Sequence, residues 1–218
     1  LVKDNSTAAL GAENSAKVAD MVKTFDNFNI EGNKMQSSYN IAKASAIGLI
    51  SDAEDFLFLA SKNQKIDVKN LCVAGMSCGG LQTLFNCKDP RISTLMICNS
   101  GLFNQQNAGS AVPNMPMPPK DKLSEIHTPI IYILGGKPDI AYENGMDDFR
   151  RITHVPAYAA NLPVGHGGTY AQPHGGEFAV VARAWLDWQL KGNAKAAKMF
   201  EGKRPTLAKR KGWTLEKH

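Results

Sequence analysis

Gly75-Met76-Ser77-Cys78-Gly79-Gly80 is the stretch of this chain best suited to chemistry. A serine hydroxyl becomes a useful nucleophile only when a tight turn presents it and a base stands beside it. Glycines two before and two after Ser77 give such a turn room, because a Cβ at either place would crowd the backbone. The chemistry would be attack on a carbonyl. The amide of Cys78, at the start of the following helix, could then stabilise the developing oxyanion. Such a serine needs a base, and the base needs an acid to orient it. Downstream, Asp139 closes Gly135-Gly136-Lys137-Pro138-Asp139, and His166 sits in Pro163-Val164-Gly165-His166-Gly167-Gly168. Flanking glycines suit a loop histidine that must reach across to Ser77. Asp147 and Asp148 compete with Asp139. They read as first-turn helix acids, which the N-terminal dipole favours. His174 lies before a helix, and His127 and His154 precede strands, where a structural or exposed role fits. Without chemistry, the Ser77 segment would be a plain glycine-rich turn and His166 a turn histidine.

These residues need a frame. Val68–Ala74, Ile92–Cys98, Pro129–Leu134 and Val155–Asn161 are short apolar runs that read as strands. Helical spacing covers Leu81–Cys87, Asn144–Arg151 and Gly175–Lys191, with Gly192 as the C-cap of the last. Upstream, Ser37–Asn63 carries a broad apolar face at helical spacing, and Ala16–Phe28 could make a shorter helix. Trp185 and Trp188 read as packing residues. Residues 104–124 form a long loop with the Pro-rich run Val112–Pro119, whose Met115 and Met117 could wall a pocket or form an ordinary connection. Strands alternating with helices imply an α/β fold, a mostly parallel sheet with helices on both faces. In such sheets function gathers at the carboxyl ends of the strands, where Ser77, Asp139 and His166 all fall.

Composition is compatible with this. The 218 residues are 43% apolar and 21% charged, so the chain reads as globular. Lys and Arg exceed Asp and Glu by 25 to 20, giving net +5 and a pI near 9.0. The clusters Lys203–Arg204 and Lys209–Arg210–Lys211 read as a solvated tail. They lack the interleaved aromatics of a nucleic-acid surface. No apolar run approaches the ~18–20 residues of a membrane span, and no signal-peptide pattern opens the chain. Cys72, Cys78, Cys87 and Cys98 show no metal-ligand spacing and no disulfide framework, and Cys72 and Cys98 read as buried thiols.

The segments AGMSCGGLQT, YILGGKPDIAY and GHGGTY with GGEFAVVARAWLDWQLKG resemble the α/β-hydrolase fold. The likeness is to its esterase branch near the dienelactone hydrolases, chlorophyllases and cutinase-like polyesterases, and it runs from about residue 37 to about residue 202. Dienelactone hydrolases carry Cys at the centre of the elbow, where this chain has Ser77. The resemblance therefore implies a serine esterase with Ser77 as nucleophile, His166 as base and Asp139 as acid. Cys78 lends its backbone N–H to the oxyanion hole while its side chain packs. No cofactor or metal is implied. Small-molecule or polymeric esters are the expected substrates, and secretion is suggested. Unpaired cysteines pull against secretion. The pocket is expected to be lined from the strand ends by Met76, Asn99, Leu102, Phe103, Ile140 and Tyr170. The family's sheet has about eight strands and draws a second oxyanion donor from an early loop, whereas four strands are legible here. The single domain of residues 1–218 is thus expected to be N-terminally incomplete, with a missing segment or a partner chain completing the sheet. The chain opens on Leu1, which fits processing or a longer parent. Other readings are a catalytically silent binding module or a fragment, and a lipase or peptidase of the same fold.

Overall fold

The structure is a computed structural model and describes residues 67, 69–104 and 118–218. The helices expected over Ala16–Phe28 and Ser37–Asn63, and Met115 and Met117, lie outside the described residues, so the single domain of 1–218 is described only in part. The described residues belong to one compact unit.

Among the described residues, five strands form one sheet in the order β1 to β5: β1 Leu71–Met76, β2 Ile92–Cys98, β3 Ile130–Leu134, β4 Ala157–Asn161 and β5 Thr214–Lys217. β1 to β4 run parallel, and β5 returns antiparallel against β4. Helix α1, Cys78–Phe85, joins β1 to β2. Helix α2, Tyr142–Arg151, joins β3 to β4. Helix α3, Gly176–Lys191, and the short α4, Ala194–Ala197, follow β4.

Side-chain alternation explains why the sheet is covered twice. In β3, Ile130, Tyr132 and Leu134 point to one face, with Leu84 of α1 and Met146 and Phe149 of α2. Ile131 and Ile133 point to the other, with Phe178, Val181 and Trp185 of α3. A strand buried on both sides shows an unbroken apolar run instead of alternation, and every residue of β3 is buried. Trp185 is fully buried and donates its ring N–H to Thr94 Oγ1 at 2.9 Å. Trp188, half-buried, meets Trp185 and Tyr158 edge to face and stacks on Phe200. The two indoles are therefore packing residues, as expected.

Two features differ from the expectation. β5 was not foreseen, because Thr-Leu-Glu-Lys carries no apolar run. Only Leu215 packs inward, which suits a short charged edge strand. The basic C-terminal segment is not a solvated tail either. Phe200, Leu207 and Trp213 are buried in the α3 face, and Arg210 is paired to Glu177 of α3. No helix of the described residues is long and apolar enough to cross a membrane.

Candidate active site

Ser77 occupies the corner between β1 and α1 with φ 53° and ψ −118°, a conformation rare for a side-chain-bearing residue. Its surroundings hold it there. The Ser77 N–H donates to Cys98 O at 3.0 Å. Its carbonyl accepts from the Gly80 and Leu81 amides and from the Ser100 hydroxyl at 2.7 Å. The corner is tight at particular places. A Cβ on Gly75 would lie 2.1 Å from Gly79 O, and one on Gly80 would lie 2.4 Å from Ser100 Cβ. A Cβ on Gly79 would meet no described atom within 4 Å. The close approach thus falls on Gly75 and Gly80, not on Gly79.

The three chemistry-bearing side chains converge. Ser77 Oγ lies 2.9 Å from His166 Nε2, and His166 Nδ1 lies 2.7 Å from Asp139 Oδ1. The Asp139 side chain is wholly buried, whereas the imidazole keeps 29% of its surface in solvent. Asp139 Oδ1 also accepts from the Ala141 amide at 2.9 Å. Its Oδ2 accepts from the Gly135 amide at 3.2 Å and from Asn99 Nδ2 at 2.8 Å. The histidine loop is anchored by the Val164 and Gly165 amides, both donating to Gly135 O. Further along, Thr169 Oγ1 donates to Gly175 O and accepts from the Phe178 amide, which ties this loop to the start of α3.

Asp147 and Asp148 stand apart. Both fall beyond the first turn of α2, so they are not the N-terminal acids their neighbourhood suggested. Asp147 pairs with Lys120 and Arg151. Asp148 is fully buried, taking Lys120 Nζ at 2.5 Å and the Leu102 amide at 2.7 Å. His127 and His154 are exposed residues with ring nitrogens near the Asp89 and Ile126 carbonyls. His174 is exposed at φ 56° ahead of α3.

The expected pocket wall divides. Met76, Ile140 and Tyr170 are exposed, Ile140 to 81%, and Phe103 is half-buried. Leu102 is fully buried in the core beside α2, so it does not face solvent at the site. Asn99 is also fully buried and is occupied by Asp139, Gly165 O and Tyr170. Cys78 corrects the expectation for its side chain, which is exposed rather than packed. Its position at the helix start explains this, since it points outward beside Ser77 while Leu81 and Leu84 take the buried face. Cys72 and Cys98 are only part-exposed residues, yet burial pushes the Cys72 thiol up to about 12 and the Cys98 thiol up to about 11. Both stay protonated. Sequence reasoning missed Asn99 and Ser100 as supports. Their one visible signal was their place directly after β2, at the same sheet edge as Ser77. Among the described residues, no group of three His, Cys, Asp or Glu is placed to hold a metal ion.

A mostly parallel sheet is thus covered on both faces by helices, and a strained serine turns from its first strand into a helix. The fold is of the α/β-hydrolase type.

No family model matches the chain, and no curated protein matches it by sequence. Among solved structures, a hydrolase from Pseudomonas aeruginosa PA01 is similar at 16% identity over 63% of this chain and 71% of that one, with a TM-score of 0.48. The native form of pOPH is similar at 19% identity over 70% of this chain and 53% of that one, with a TM-score of 0.43. A serine-to-alanine variant of pOPH in complex with pNPB is similar at 17% identity over 76% and 59%, with a TM-score of 0.47. The chain thus spans between half and two thirds of the pOPH chains.

Proposed function

We propose that this chain is a serine hydrolase that cleaves carboxylic esters through an acyl-enzyme. The observation that carries the reading is the continuous line of hydrogen bonds from Ser77 Oγ through His166 to Asp139, at 2.9 and 2.7 Å. It supports catalysis over a silent binding module, because a base within reach of a serine is what nucleophilic activation requires.

In this mechanism Ser77 Oγ attacks the ester carbonyl carbon and gives its proton to His166 Nε2. The buried Asp139 carboxylate accepts from Nδ1–H, fixes the tautomer and stabilises the imidazolium. The tetrahedral oxyanion faces the Cys78 amide, which opens α1 and donates to no described residue. Collapse breaks the bond to the alcohol, which leaves with the proton from His166. Water then repeats the sequence on the acyl-Ser77 ester and releases the acid. The choice of ester over amide follows the resemblance. Small-molecule and polymeric esters are both candidate substrates.

The test is p-nitrophenyl acetate turnover by the wild type, Ser77→Ala and His166→Ala, with peptide mapping after a fluorophosphonate. Each variant should lose roughly 10⁴-fold or more in kcat, and the label should sit on Ser77. Equal turnover in all three, or a label on Cys78 alone, would end the proposal.

A further inference from the structure

We propose that Asn99 and Tyr170 are positioning residues for the acid and base of the site, the Tyr170 hydroxyl fixing which end of the Asn99 amide faces Asp139. The inference rests on the serine-hydrolase reading of Ser77, His166 and Asp139. It reassigns both residues from the substrate wall to the machinery behind it.

An asparagine amide has an acceptor end and a donor end of nearly equal shape, so its surroundings must choose between two orientations. Asn99 is fully buried, which leaves no bulk water to compensate for a wrong choice. On one side stand two acceptors, Asp139 Oδ2 at 2.8 Å and Gly165 O at 3.2 Å, and Nδ2 donates to both. On the other side the Tyr170 hydroxyl donates to Oδ1 at 2.7 Å. A flipped amide would set its oxygen against a carboxylate and a carbonyl. The NH₂ would then face the Tyr170 hydroxyl, which would have to accept where it now donates. The tyrosine is a dependable donor, because burial, with the Cys98 thiol and Asp139 nearby, pushes its phenol well above the ordinary value.

The placement has a backbone correlate. Asn99 has φ 44°, one of three positive-φ residues other than glycine among the described residues, and Ser77 is another. Its N–H is committed to Ile133 O at 2.9 Å, so the strain is held by the sheet. Gly165 directly precedes His166. One amide therefore joins the acid to the loop that carries the base. The next residue, Ser100, holds the carbonyl of Ser77. The two residues after β2 thus touch all three arms of the site.

The consequence is electrostatic as well as geometric. The Asn99 donor spreads the Asp139 charge, and without it the carboxylate would hold an imidazolium more strongly. Loss of the pair should move the acid limb of kcat/KM to higher pH. The titratable groups facing the pair are Asp139, His166, Cys98 and Tyr170. The last two stay protonated over an ordinary assay range, so a shifted limb reports the imidazole and its carboxylate.

The experiment compares the wild type with Tyr170→Phe and Asn99→Ala in ester turnover against pH. The low-field ¹H resonance of the imidazole Nδ1 proton supplies a readout that needs no turnover. Tyr170→Phe keeps the ring that packs on Phe178 and should fold. Its kcat is expected to fall about 10-fold with KM unchanged, and its acid limb to move to higher pH, in line with losing a hydrogen bond that orients a catalytic group. Asn99→Ala, where it folds, should show a larger loss of roughly 10²-fold and a shift of the acid limb in the same direction. Both variants should displace the Nδ1 resonance. A Tyr170→Phe protein with raised KM but wild-type kcat, acid limb and resonance would overturn the proposal and return Tyr170 to the substrate wall. If the wild type turns over no ester and takes no phosphonate, the hydrolase reading fails. The resonance alone then decides this inference, and an unmoved signal in Tyr170→Phe overturns it.

Discussion

Asp139 accepts four hydrogen bonds on two oxygens, from His166, Ala141, Gly135 and Asn99. Asp147 instead meets the cations Lys120 and Arg151 near the surface. Both are aspartates between β3 and β4, so residue type could not separate them. Asp139→Asn should reduce ester turnover ~10⁴-fold, because the amide would present a donor to Nδ1 and favour the wrong tautomer. Asp147→Asn should stay within about twofold of wild type, as a part-exposed substitution away from the reacting atoms. Matched kcat measurements on the two variants check the assignment, and comparable losses would refute it. The glycines teach a related lesson. Gly-x-Ser-x-Gly was legible as a pattern, yet which glycine must lack a Cβ was not, because that depends on what approaches it. Gly75→Ala and Gly80→Ala should lose folded, active protein, since each Cβ would meet atoms at 2.1 and 2.4 Å. Gly79→Ala should retain both folding and turnover, apart from the few tenths of a kcal/mol that a helix start can shift. Melting curves with residual activity decide it, and a failure of Gly79→Ala would contradict this account of the corner.

At the scale of elements, β2, β3 and β4 were readable because burial on both faces writes itself as an apolar run, whereas β1 is only partly buried and was readable from its apolar residues alone. Ile-Ile-Tyr-Ile-Leu admits little else. β5 was not readable, because an edge strand needs only one inward side chain, Leu215, and is otherwise written in polar residues. The basic segment before it misled for a similar reason. A lysine- and arginine-rich stretch looks solvated until its partner is known, and that partner, Glu177, lies on α3 far upstream. Glu177 takes Arg210 through both carboxylate oxygens and the Trp213 ring N–H at 3.0 Å. Both ionic partners keep over a third of their side-chain surface in water, so the pair is screened. Glu177→Ala should cost roughly 1–2 kcal/mol, most of it from the indole donor and the lost geometry. Urea melts would show the midpoint falling. The gap from wild type should narrow in high salt. An unchanged midpoint would mean that the C-terminal strap is held by Trp213 and Leu207 packing alone.

At the scale of the unit, one buried carboxyl ties several described elements together. Asp148 of α2 accepts from the Leu102 amide just past β2, from Lys120 beyond the Pro-rich segment, and from the Tyr132 hydroxyl of β3 at 3.4 Å. Burial, against the pull of Lys120, pushes this carboxyl from an ordinary 3.8 up to about 6. The sign is opposite to that of a surface aspartate in a salt bridge. Between about 4 and 6 the folded protein keeps a proton that the unfolded chain has released. Raising the pH through that window therefore favours unfolding. The contribution is complete below the unfolded value and is lost as pH passes the folded one. It amounts to about 3 kcal/mol on the usual conversion. Asp147 is shifted the other way, held below its ordinary value by Arg151 and Lys120 against the effect of burial. Unfolding free energies of the wild type and Asp148→Asn should be measured in urea from pH 4 to 7.5. The asparagine cannot titrate, so groups not coupled to Asp148 cancel in the difference. Wild-type stability minus variant stability should decline by up to about 3 kcal/mol as pH rises. A flat difference would mean that Lys120 holds the carboxylate ionised throughout. A rising one would mean that the ion pair, not burial, governs how this unit responds to acid.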